Sequence, residues 1–200
     1  MNQIDDTQQE YLSQIFKGLD LCGEEINARE FDGCTFSDCS LSEVVFNKCK
    51  FLDCHFERCN LSNAKLNLSK FSEISFNECK LVGLDWCRAA WSSIAFASPL
   101  KFTRCILNDS SFFGLGMHEL VMEECKAHEV DFREGDFSQA NFRYTDFSHS
   151  LFNTSILKGA DFTEATNYQI DIHHNWIEGA RFSRHEALSL LDSLGIELVD

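Results

Sequence analysis

Proline is almost missing: Pro99 is the only one in 200 residues. Proline lacks a backbone donor and fixes φ, so any break it enforces, a bulge or kink, is confined to the stretch around residue 99. Positive charge is also scarce. Lys and Arg number 17 against 32 Asp and Glu, for a net charge of −15. Binding to duplex DNA relies on cations that displace counterions from phosphates, so direct nucleic-acid binding is not expected. No apolar run reaches the ~20 residues that span a bilayer, and the segment Met1-Asn2-Gln3-Ile4-Asp5-Asp6 lacks the basic and apolar regions of a signal peptide. The expectation is a cytoplasmic protein without membrane contact, its cysteines reduced.

Catalytic signatures are missing too. No Ser/His/Asp arrangement, glycine-rich phosphate loop or isolated carboxylate pair stands out. The ten cysteines recur at intervals of five, whereas zinc ligands pair with two to four residues between them. His118, His128, His149, His173 and His174 are scattered over polar positions. Seven threonines form no ladder, which sets aside ice binding. The reading is a protein that is not an enzyme and uses no cofactor or metal.

What the chain does have is phenylalanine, 19 residues of it. From Phe16 to Phe96 every fifth residue is large and apolar. The ladder slips by one residue and resumes from Phe102 to Phe182, broken only by Ala127 and Asn167. All the phenylalanines except Phe113 fall in this phase. Two residues before each ladder position lies a small or aliphatic residue, and eight cysteines occupy such positions (Cys34, Cys39, Cys49, Cys54, Cys59, Cys79, Cys105, Cys125). A small buried hydrophobe fits there. A period of five matches neither a helix nor a flat strand. A chain that turns the same way every five residues coils about an axis with these pairs inside, and its backbone groups bond to the coils on either side.

The segments Phe51-Leu52-Asp53-Cys54-His55-Phe56 and Ala140-Asn141-Phe142-Arg143-Tyr144 resemble the pentapeptide-repeat family. The resemblance implies an all-β fold, a right-handed quadrilateral β-helix with four pentapeptides per coil, over residues 16–182. Residues twenty apart should then stack: Phe31, Phe51, Phe71 and Trp91 in one column, Phe36, Phe56, Phe76 and Phe96 in another, and Phe112, Phe132 and Phe152 under Ile172. The slip at 97–101 reads as one extra residue.

Both ends need covers, because open coils expose unpaired strand edges. Tyr11, Leu12, Ile15 and Phe16 suggest a short helix near 7–16 within an N-terminal cap over 1–15. At the other end, Ser183-Arg184-His185-Glu186 reads as a capping box opening a helix that Gly195 closes, followed by a strand-like Ile196–Val199. The apolar residues of segment 183–200, Leu188, Leu191, Leu194, Ile196 and Leu198, exceed what one coil end needs, so this tail is expected to be both a cap and a homodimer interface.

The tail, with Asn167-Tyr168 and Arg104–Ser110, resembles the topoisomerase-protecting members of the family: the quinolone-resistance, microcin-immunity and, closest, albicidin-resistance proteins. The resemblance implies a partner, DNA gyrase or also topoisomerase IV, shielded from poisons by a rod that mimics DNA. Twice the chain's charge, about −30 over roughly 80 Å, lies within a factor of two of the ~1 charge per 1.7 Å of a duplex. The quinolone-resistance members interrupt their coils with projecting loops, and a single extra residue near Pro99 would provide none, which favours a loop-free mode. The densest acidic run, Glu119, Glu123, Glu124, Glu129, Asp131, Glu134 and Asp136, is the candidate contact surface, although four-to-a-coil folding wraps it around the rod. The competing reading is a protein-interaction scaffold with another partner.

Overall fold

Ladder residues face inward, and the chain closes one coil every twenty residues. In the computed structural model, which describes residues 4–5, 7–91, 99–196 and 199, Phe31 pairs with Phe51 and Phe51 with Phe71 in one parallel sheet. Phe16, Phe36, Phe56 and Phe76 pair successively in a second. The other two sides are held by parallel pairing such as Ile26 with Phe46 and by isolated bridges such as Ser40 with Asn60. The result is a four-sided parallel β-solenoid of about eight coils, roughly 40 Å long at ~4.8 Å per coil. Its sides are numbered here by their first ladder residues: Tyr11 (side 1), Phe16 (side 2), Leu21 (side 3) and Ile26 (side 4).

The interior is one continuous column of rings. Phe36 lies on Phe56 at 4.7 Å between centroids, and Phe132 on Phe152 at 4.9 Å. Rings on adjoining sides meet edge-on, as Phe46 does Phe51 at 5.0 Å. Offset stacks and edge-to-face pairs are both favoured by the ring quadrupole, so the core uses the two stable geometries along and across the axis. All eight inward cysteines are buried, while Cys22 and Cys87 are exposed.

Four features differ from the sequence reading. The N-terminus carries no helix near 7–16: Glu10–Leu12 and Ile15–Lys17 are already strands of the first coil. Tyr11 belongs to the ladder one step before Phe16, and both are fully buried. Second, Phe76 pairs with Phe102, and Lys80 with Ile106, 26 residues on. The interruption is therefore six residues long, and Phe102 takes the place over Phe76 expected for Phe96, at 5.3 Å. Phe96 lies outside the described residues. Pro99 is where regular pairing resumes, its carbonyl accepting from the Ile74 N–H.

Third, the ladder break at Asn167 is a corner cut short. Asn167 points outward with φ 58°, Tyr168 is buried instead, and Phe152 bridges to Ile170. The expected stack under Ile172 thus gives way to Tyr168 packing on Phe162 and Phe182. Fourth, Glu186–Leu194 is a helix of the tighter 3-10 type, without the capping box. The Ser183 hydroxyl instead joins the coil below: it accepts from the Glu164 N–H and donates to the Glu164 carboxylate. Gly195 closes the helix in the left-handed conformation, φ 63°. The strand expected at 196–199 lies largely outside the described residues.

Candidate partner-binding surface

Most pentapeptides turn their corner two residues after the ladder position, on a residue with positive φ. Among the described residues twenty-two non-glycine residues do so, from Ser13 to Glu164, and Asn167 also takes a positive φ. A left-handed residue throws its side chain away from the axis, so the four corners are columns of outward side chains at twenty-residue steps. The surface is legible corner by corner.

The corner between sides 2 and 3 alternates in sign and neutralises itself. Arg58 Nε donates to Asp38 Oδ1 at 2.7 Å and Arg104 Nε to Glu78 Oε1 at 3.2 Å. The corner between sides 1 and 2 carries Asp53, Glu73 and, beyond the interruption, Glu119, at φ 47°, 56° and 62°, with Asp32 one residue before it on side 1. None of these four forms an ion pair with Lys or Arg among the described residues. The nearest imidazoles are His55, 4.0 Å from Asp53, and His118, 3.8 Å from Glu119.

The acidic run from Glu119 to Asp136 is not gathered into one patch. Glu119, Glu124, Glu129 and Glu134 each occupy a different corner. Glu123, Asp131 and Asp136 lie on sides 2, 4 and 1, and Asp131 is tied to Arg133 at 2.8 Å. Reading along the sequence missed the corner column because its members are twenty or more residues apart. The signal was available in the step of twenty once the interruption was known to be six residues.

The buried thiols form a column of their own. Cys39, Cys59, Cys79, Cys105 and Cys125 stack on consecutive coils. Two amides reach the thiol above: the Cys59 N–H donates to Cys79 Sγ at 3.4 Å and the Cys105 N–H to Cys125 Sγ at 3.3 Å. The thiols donate in turn to carbonyls, as Cys79 does to Phe56 at 3.4 Å. The contact with Cys105 together with burial raises the Cys79 thiol to about 12, and the contact with Cys125 together with burial does the same for Cys105. Nucleophilic and metal-binding chemistry needs the thiolate, so this column is inert hydrogen-bonding structure.

One carboxylate is held tightly. Partial burial pushes Asp146 up, but hydrogen bonds from Asn167, Ser148 and His128 outweigh it and bring it to about 2. Asn167 Nδ2 donates to it at 2.9 Å and His128 Nε2 sits at 2.9 Å. Asp146 thereby anchors the outward Asn167 and fixes the cut corner that admits Tyr168. Next to that corner a shallow depression of about 410 Å³ separates Gln169 and Asp171 from Ser189 and Asp192 of the helix.

At the C-terminal end, Leu188, Leu194 and Ile196 are exposed, Leu191 is half-buried, and Leu198 lies outside the described residues. Leu190 packs against the core. No helix is long and apolar enough to cross a membrane, and no group of three or more His, Cys, Asp or Glu is arranged to hold a metal among the described residues.

Known proteins share this architecture. Two trypsin-treated forms of QnrB1, a plasmid-mediated fluoroquinolone resistance protein, superpose with TM-scores of 0.71 and 0.68. They are 20% and 22% identical, over 95% and 98% of this chain and 100% and 96% of theirs. HetL, involved in heterocyst differentiation regulation in the cyanobacterium Nostoc sp. strain PCC 7120, superposes with a TM-score of 0.63 at 14% identity, over 86% of this chain and 84% of its own. No curated protein matches the sequence. The family model for the pentapeptide repeat region matches residues 29–99 and 84–162; with the twenty-residue register and the buried Phe ladder, it makes this chain a member of the pentapeptide-repeat family.

Proposed function

We propose that the chain binds a bacterial type II topoisomerase, DNA gyrase and by extension topoisomerase IV, as an acidic rod and protects it from poisons that trap its cleaved DNA complex. The observation that carries the reading is the corner column of Asp53, Glu73 and Glu119: carboxylates without a Lys or Arg partner projecting from one edge of a stiff rod, charge of the sign a DNA-binding enzyme accepts. The likeness to QnrB1 along nearly the whole chain supports the same reading. So does the resemblance of the Asn167–Tyr168 corner and the tail to the protecting members, the albicidin-resistance proteins above all.

The charge is uneven in a way that fits. Residues 1–104 hold 15 acidic and 11 basic side chains, residues 105–200 hold 17 and 6. A homodimer joined through Leu188, Leu191, Leu194, Ile196 and Leu198 would bring the two acidic halves together at its centre, with the Glu119–Asp136 region of each copy flanking the two-fold axis. In this arrangement the exposed apolar residues of the tail are covered by the partner copy. The single extra residue on which the loop-free mode rested is an interruption of six residues.

A supercoiling assay tests the function. Gyrase is mixed with the protein at micromolar dimer, with and without a fluoroquinolone and, separately, albicidin. Rescue of supercoiling from at least one poison is the expected result. Neither inhibition nor rescue in any arm would favour a scaffold with a non-topoisomerase partner, the reading that the likeness to HetL supports. The dimer is tested by light scattering on Leu191→Asp/Leu194→Asp, which should run as a monomer; a dimer of unchanged mass would sink the interface.

A further inference from the structure

Side 1 of coils 2 to 4 is bordered by columns of opposite charge. Along its edge with side 2 run Asp32, Asp53 and Glu73. Along its edge with side 4 run Lys48, Lys50, Lys70 and Arg88. Lys50 and Lys70 face each other in register on adjacent strands, an arrangement of like charges that costs the fold free energy. Glu30 relieves Lys50 at 2.8 Å and Asp85 holds Arg88 at 3.1 Å. Lys48 and Lys70 have no ion pair among the described residues.

Between Lys48 and Arg88 in the same corner column stands Leu68. It has φ 52° and is 59% exposed. A left-handed conformation is disfavoured for an L-residue, and Leu68 is the only branched aliphatic side chain among the described positive-φ residues. Neither stacked lysines nor an exposed, strained leucine helps the coil. An apolar anchor with charged neighbours is instead the anatomy of a protein contact, with its desolvated centre and polar rim.

We infer that side 1 of coils 2 to 4 is a docking face for a protein surface that carries a basic strip beside an acidic strip, with an apolar recess for Leu68. The inference rests on the topoisomerase reading for the identity of that protein. Duplex DNA does not fit the face, because its single sign would meet Asp32, Asp53 and Glu73. A uniformly basic surface does not fit either, because it would meet Lys48, Lys70 and Arg88; like charges brought together at an interface cost several kcal/mol. Two rows of opposite sign fix how the rod is rotated about its own axis, which a uniformly acidic rod cannot do. On this half the molecule is therefore a directional ligand and not a plain duplex mimic.

The experiment measures the affinity of gyrase holoenzyme for the immobilised full-length chain. Lys48→Glu/Lys70→Glu and Asp53→Lys/Glu73→Lys should each weaken binding about tenfold or more, and Leu68→Asp similarly. Exchanging the self-paired corner, Asp38→Lys with Arg58→Glu, should stay within about twofold. Unchanged far-ultraviolet circular dichroism and melting midpoint establish that each variant is folded. If Lys48→Glu/Lys70→Glu binds more tightly than the wild type, the rod is a simple acidic mimic and the docking face is refuted. Row variants that bind like the wild type place the contact elsewhere and refute it equally. A wild-type chain that does not bind gyrase at all overturns the functional reading, and the docking face with it.

Discussion

The two halves of the rod use the same rings but make their corners differently. In the C-terminal half most corners close with a backbone hydrogen bond from the inward small residue to the ladder residue three before it. Leu120 to Met117, Ala140 to Phe137 and Ala160 to Leu157, each at 3.1 Å, are examples. In the N-terminal half the cysteine corners lack this bond, and two of the cysteine amides go to the coil above: Cys49 to Ser69 Oγ at 3.0 Å, Cys59 to Cys79 Sγ at 3.4 Å. Exceptions on both sides follow one rule. Ala64, under Leu84, closes its corner onto Leu61 at 3.0 Å, and Val130, under Ser150, donates to the Ser150 hydroxyl at 2.9 Å. The amides of Cys49, Cys59, Leu84, Cys105, Cys125, Val130 and Ser155 turn to the coil above, where the stacked residue offers sulfur or oxygen; Gly135, under Ser155, departs from this and closes onto Phe132 at 3.4 Å. Buried amides must be paired one way or the other, and the extended corners of the N-terminal half correspond to its longer strands.

If the aromatic column is truly common to both halves, removing one ring from either should cost the same. Phe56→Ala and Phe132→Ala are each expected to lose about 3–5 kcal/mol, the usual range for a buried Phe truncated to Ala. Urea unfolding compares them, and a difference of several kcal/mol would show that one half is packed more loosely.

The corner rule is sharpened by Cys79→Ala. It removes the acceptor of the Cys59 amide, so about 1–2 kcal/mol should be lost unless that amide swings into its own corner. Cys79→Ser, which keeps an acceptor, should lose less. Equal losses for both would break the rule.

Acid separates the halves at one point. The depressed carboxyl of Asp146 stabilises the folded state fully above its unfolded value of ~3.9. That contribution fades as pH falls through about 2, where the folded group takes up its proton. About 1 kcal/mol, after allowance for solvent screening, should disappear between pH 4 and 2. Asp146→Asn should flatten this part of the pH–stability curve; an unaltered curve would show that the anchor of Asn167 contributes nothing. The smallest effect belongs to the exposed corner between sides 2 and 3. Arg58→Ala should leave the melting midpoint unchanged within error, since surface ion pairs contribute little.

How far the sequence reached is clearest at three places. Its inward residues were legible from Phe31 to Phe162, because a period of five leaves only one phase in which large side chains can fill a coil. Tyr11 was misassigned because a helical stripe and the first ladder step share Phe16, and only pairing with Phe31 chooses between them. Asn167 showed as a defect, but that Tyr168 replaces it follows from the Asp146 contact 21 residues away, which no local pattern carries.

The sequence by itself determined which side chains point inward, that the rod is acidic, and that eight of its cysteines pack in the core. Those properties depend on residue type and on spacing within one coil. The length of the interruption was decided only in three dimensions: one residue and six residues produce the same shift in a five-residue ladder, and the pairing of Phe76 with Phe102 tells them apart. The charged columns on either side of side 1 were decided there as well. Neighbours on a solenoid surface are a full coil apart along the chain, so the pattern that a partner meets exists only after the coils are stacked.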